Sequence, residues 1–141
     1  MSAIDEVIAR VSGLSPEDRV YLGRDAYVDM CEALKEMNFN RNYVNLYVQL
    51  TVRAFVSADK VCDVMEKDIF NAITGANFSF EEFAEYSDYG SGAEFVEKYD
   101  ELVDSGTDKL KTSTCIFGLC IMAHDGVVTE SERALLEKVL A

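Results

Sequence analysis

Basic residues are scarce in this chain. Thirteen Lys and Arg stand against 26 Asp and Glu over 141 residues, a formal net charge of -13. Phosphate recognition needs clustered Lys and Arg, so the balance speaks against nucleic acid as a partner. It disfavours anionic membrane surfaces for the same reason and favours cations or basic protein surfaces. Proline occurs once, at Pro16, and glycine gathers at a few boundaries, which suits long helices better than a strand-and-turn protein. No CxxC pair occurs among Cys31, Cys62, Cys115 and Cys120. The opening "MSAIDEVIAR" has no basic segment followed by an apolar run, so no signal peptide is expected. Reduced thiols and a cytoplasmic location follow as the expectation. The longest uncharged run, Thr112 to Ala123, falls short of the ~20 residues that span a bilayer, so membrane insertion is not expected. Neither a P-loop nor a dinucleotide fingerprint is present.

What the chain does have is apolar mass and helix punctuation. Hydrophobic residues make up 49% of it, enough to bury a core, and its length suits one domain over 1–141. Ser15-Pro16-Glu17-Asp18 places an N-cap serine before a first-turn proline, followed by acids. This predicts a helix from about Pro16 to Glu36, with Val20, Ala26, Tyr27, Met30, Cys31 and Leu34 as its apolar stripe. Asn38 to Asn40 break it, and "YVNLYVQLTVRAFV" reads as a second, buried helix over about 41–58. Ser79 with Glu82, and Ser91 with Glu94, have capping-box spacing and open two more helices, the first ending near Tyr89-Gly90 and the second at Gly106. "TSTCIFGLCIMA" is apolar nearly all round, so a helix over about 107–124 belongs at the centre of a bundle.

Sliding the chain on itself by 66 residues lays "VRAFVSADKVCDVMEKDIF" on "GLCIMAHDGVVTESERALL". Asp59 falls on Asp125, Glu66 on Glu132, and Ile69-Phe70 on Leu135-Leu136. Two related halves are expected, roughly 1–75 and 76–141, each holding a buried helix, a tight turn and an amphipathic helix. The turn "DGVVTESE" invites a calcium reading, because Gly126, Val128 and Glu132 suit loop positions 6, 8 and 12. Positions 1 and 3 would then be Ile121 and Ala123, which offer no side-chain oxygen. Capping explains more: Thr129 with Glu132 is T-x-x-E and Asp63 with Glu66 is D-x-x-E. Glu66 and Glu132 are therefore expected at helix starts, bound to N-cap N–H groups.

A buried helix ending in A-x-D-G, two apolar residues, [ST]-x-x-E-R and "ALLEKVL" resembles TerB-like domains, the all-helical domains of tellurite-resistance proteins. The match is good over 115–141, weaker over 43–75 and thin elsewhere, and the first copy departs from it with Lys60 for Gly and Asp63 for Ser or Thr. If such domains bind a cation through the acids of these turns, the resemblance carries over to Asp59, Glu66, Asp125 and Glu132, the Lys60 departure weakening the first pair.

Two further features carry weaker chemistry. His124 follows Cys120 by one turn and could be half of a zinc site completed by Cys31 or Cys62, although no cysteine pair has ligand spacing. The stretch from Glu81 to Asp104 holds nine acids and the single base Lys98. Glu94, Glu97, Glu101 and Asp104 fall on one helix stripe, with Tyr86 and Tyr89 near a Gly-rich break as anchors, so a basic protein partner is the functional reading and a solvated face the bland one.

The expectation is thus an all-α single bundle of about seven or eight helices, with helices near 41–58 and 107–124 at its centre. No catalytic residue and no firm cofactor is assigned beyond a possible divalent cation. The leading function is a non-catalytic, stress-associated domain of TerB-like kind, working through protein contacts or weak cation binding. A carboxylate-cluster metalloenzyme and a homodimerising structural module stay open as alternatives.

Overall fold

Ser15 starts the longest helix as its sequence dictates. Its Oγ accepts the Asp18 N–H at 3.1 Å and Pro16 takes the first helical position. The structure, a computed structural model, describes residues 3–59, 63–88, 99, 101, 104, 106–122 and 128–140, with the side chains of 57–59 outside that description. Among the described residues there are seven helices and no strand: α1 (Ala3–Val11), α2 (Pro16–Glu36), α3 (Arg41–Asp59), α4 (Val64–Thr74), α5 (Phe80–Tyr86), α6 (Asp108–Met122) and α7 (Glu130–Leu140). The all-α bundle expected from the sequence is what the chain forms.

Local chemistry sets most helix ends. α2 closes where Asn38 turns left-handed at φ 66°, a conformation Asn tolerates better than most residues. Asn40 then caps α3, its Oδ1 accepting the Tyr43 N–H at 3.0 Å. α4 ends on Gly75 at φ 78°, whose N–H donates to the Asn71 carbonyl. The Asn71 side chain also grips the next loop, donating to the Phe78 carbonyl at 2.9 Å and accepting the Phe78 N–H at 3.1 Å. α5 is shorter than its sequence suggests. It stops at Tyr86, where the Ser87 N–H closes the last turn and the Ser87 hydroxyl donates to the Phe83 carbonyl at 2.8 Å. The helix expected from Ser91 falls largely outside the described residues.

α6 is the axis. Every residue from Ser113 to Met122 is buried, and each large aliphatic side chain among them contributes ~1.5–3 kcal/mol by leaving water. α2 runs antiparallel along it and makes its broadest contact: Tyr27 packs on Phe117 with ring centroids 5.8 Å apart, and Lys109 reaches Glu32 and Glu36 at the far end. α3 differs from the expectation of an equal partner. Val44, Tyr47, Val48, Leu50, Thr51, Val52 and Phe55 are buried and no residue from Leu46 to Val56 is exposed, but the first turns expose Arg41, Asn42, Tyr43 and Asn45. The two helices meet where Phe55 lies over Gly118. A Cβ on Gly118 would fall 2.4 Å from the Phe55 ring, so only glycine permits this approach. A buried hydroxyl chain ties them further up, with Tyr47 and Thr114 hydroxyls 2.8 Å apart and Thr114 donating to the Leu110 carbonyl. No described helix is long and apolar enough to cross a membrane.

Candidate functional site

The two turns singled out by the repeat are built alike. At the start of α4 the Asp63 N–H donates to Glu66 Oε1 and the Glu66 N–H donates to Asp63 Oδ1, both at 2.9 Å. At the start of α7 the Thr129 N–H donates to Glu132 Oε1 and the Glu132 N–H donates to Thr129 Oγ1, both at 3.1 Å. These are reciprocal capping boxes, each using one carboxyl oxygen to satisfy a free backbone donor. Glu66 and Glu132 are each 0% exposed. Burial of such a group is tolerable only where hydrogen bonds replace water, and each box supplies one, to Oε1.

The remaining acids of the cation reading are less informative. Asp59 ends α3, with its side chain outside the description, and Asp125 lies outside the described residues altogether. Among the described residues, no group of three or more His, Cys, Asp or Glu side chains is placed to hold a metal ion. The thiols behave as small apolar groups. Burial pushes Cys115 and Cys120 up to about 12, and raises Cys31 as well, which leaves almost no nucleophilic thiolate at neutral pH. His124 and Cys62 lie outside the described residues, so the zinc combination is not assembled within them.

Of the expected partner surface, Glu101 and Asp104 are exposed, while Glu94, Glu97 and Tyr89 are outside the described residues. Tyr86 is half-buried rather than a free anchor. Its ring packs on Phe70 and Phe78 with centroids 5.3 and 5.1 Å away, and its carbonyl accepts from Gln49 Nε2 and Arg53 Nε. Burial, then the neighbouring Tyr27, push its hydroxyl far above the ordinary tyrosine range. A third capping box, Ser79 with Glu82, stands at the start of α5 in full solvent, where the Ser79 N–H and then its hydroxyl hold the Glu82 carboxyl below the usual range.

Two features escaped the sequence reading. The outer face of α2 exposes Tyr21 (59%) and Val28 (51%) between Glu17, Asp18, Asp25, Asp29, Glu32 and Glu36. The i, i+4, i+7, i+11 spacing of Tyr21, Asp25, Val28 and Glu32 was legible as a stripe. The second is a groove between α2 and α3, whose walls come from α2, α3, α4 and the segments around α5. No sequence signal announces it, because its residues become neighbours only in the fold.

The chain was compared with family models, curated proteins and solved structures, and it matches none of them.

Proposed function

We propose that this chain is a non-catalytic helical interaction domain of TerB-like kind that binds a basic protein partner. The observation that carries the reading is the outer face of α2. Two large apolar side chains stand exposed in one acidic stripe, which is the complement of an amphipathic helix bearing Lys or Arg around an apolar seam. Arg24 and Lys35 stand along one edge of that stripe, and Lys109 pairs with its C-terminal end, with Glu32 at 3.4 Å and Glu36 at 3.5 Å. The twin capped corners are consistent with the same kinship, since they repeat the motif on which the resemblance rests. They also give Glu66 and Glu132 a structural role, which shifts the functional weight to the surface.

The test is fluorescence anisotropy with a labelled synthetic Lys/Leu amphipathic helix. Asp25→Lys with Asp29→Lys should weaken binding by about tenfold or more, and Tyr21→Ala severalfold. Charge reversal at Glu81 and Glu85 should do much less. Equal loss from the α2 and α5 variants would mean attraction to net charge alone and would overturn the assignment to α2.

A further inference from the structure

We infer that the groove between α2 and α3 is a binding site for a small anionic molecule with a planar, apolar body. The site adjoins the α2 face described above and does not depend on it.

The groove has two parts, a cavity of about 530 Å³ and one of about 460 Å³. Tyr27 and Asn45 line both, so the parts adjoin. Each lies within the size range of small-molecule sites. The larger part has an aromatic wall. Phe70 and Phe78 stack with centroids 5.7 Å apart and planes 9° apart, and Tyr86 leans on both. Asn42, Asn45 and Gln49 also line this part, and Gln49 Nε2 donates to the Tyr86 carbonyl. Flat apolar surface with a few polar edges is what an aromatic ligand requires.

Charge identifies the other end. Among the described residues, the charged side chains lining either cavity are Lys35 and Arg41. In a chain of net charge -13 this is a local inversion. Neither cation makes an ion pair among the described residues, as is also true of Arg10 and Arg24. Two unbridged cations beside an aromatic wall suit a carboxylate, sulfonate or phosphate on the ligand. From Tyr27 to Lys35 the helix advances about 12 Å at 1.5 Å per residue, the length of a two-ring molecule with one acidic group.

A bound peptide strand fits the groove less well, because its backbone would find little to pair with. Helical walls use their N–H and C=O groups internally. The loop that contributes Phe78 has that residue's N–H and carbonyl taken by Asn71, and the Tyr86 carbonyl is taken by Gln49 and Arg53. Recognition is left to side chains, which favours a small molecule.

The experiment is a fluorescence titration of the native protein with 8-anilinonaphthalene-1-sulfonate, with near-UV circular dichroism confirming the folded state throughout. Saturable enhancement with a dissociation constant on the order of 10 μM is expected. Lys35→Glu with Arg41→Glu should weaken it about tenfold or more, and Asn45→Trp, which fills the rim shared by both cavities, should abolish it. The uncharged dye N-phenyl-1-naphthylamine should bind the wild type and the charge variant alike. All these positions are exposed, so the variants should melt with the wild type. Absence of saturable enhancement, or binding that survives Asn45→Trp, overturns the site. Binding of the anionic dye that is unchanged by the charge reversals overturns the anionic ligand class.

Discussion

The two halves of the molecule use the same corner and different helices. At both corners an N3 glutamate is fully buried and returns a hydrogen bond to its N-cap, at 2.9 Å from Asp63 and 3.1 Å from Thr129. The helices ahead of those corners differ. α6 is buried on all sides from Ser113 to Met122, whereas α3 is only partly buried between its core residues and exposes Arg41, Asn42, Tyr43 and Asn45 at its start. The difference is sharpest at Val52 and Gly118, which correspond in the repeat. Gly118 yields its side-chain space to Phe55, and Val52 is itself core. The corners are therefore fixed by backbone hydrogen bonding, which any sequence with the right caps can satisfy. The helices are fixed by packing, which allows only one of them to occupy the centre, and the exposed start of α3 forms a wall of the groove.

The largest expected effect tests that central contact. Gly118→Val should destabilise the chain by about 3 kcal/mol or more in urea unfolding, since overpacking against the buried Phe55 ring outweighs any gain from replacing a helical glycine. Adding Phe55→Leu should recover part of that loss, because the two positions share one space. A neutral Gly118→Val would mean that α3 and α6 do not approach so closely.

Next come the caps. Asp63→Ala and Thr129→Ala should each cost about 1 kcal/mol, and to a similar extent. A clear inequality in chemical denaturation would break the equivalence of the corners. The smallest effect belongs to the exposed box. The Glu82 carboxyl is held below its ordinary value of 4.5 in the folded chain. Its contribution is therefore complete above that value and is lost as pH falls through the lowered native one. The stability difference between wild type and Glu82→Ala should be small at neutral pH and vanish once the pH falls below the lowered native value. A difference that persists in acid would show that the charge of Glu82 plays no part.

Much of this was legible because it is local. Ser15 directly before Pro16, and Asp63 before Glu66, Ser79 before Glu82 and Thr129 before Glu132 at three residues' distance, each predict a helix start from neighbours in sequence, and each start is found. The uniform apolarity of 112–123 predicted the central helix for the same reason. The asymmetry of α3 was not legible, because "YVNLYVQLTVRAFV" is nearly uncharged and only the fold decides which side of it meets α6. The early end of α5 was not legible, because no Gly or Pro lies between Ser79 and Gly90 to mark it. The groove joins residues from Tyr27 to Tyr86 that have no common period, so no pattern along the chain could name it.

The central claim is that Glu132 serves the backbone at a helix start. Thermal unfolding of the wild type, Glu132→Ala and Glu132→Gln, each with and without millimolar Ca²⁺, tests it most directly. Loss of a buried bond to a charged or polar acceptor costs about 1.5–3 kcal/mol, so Glu132→Ala should melt roughly 5–10 °C lower. Glu132→Gln, which keeps an acceptor for the Thr129 N–H, should fall by less than half as much, and Ca²⁺ should shift none of the three. A calcium-induced rise in the wild type that both variants lose would contradict the capping account and make Glu132 a cation ligand.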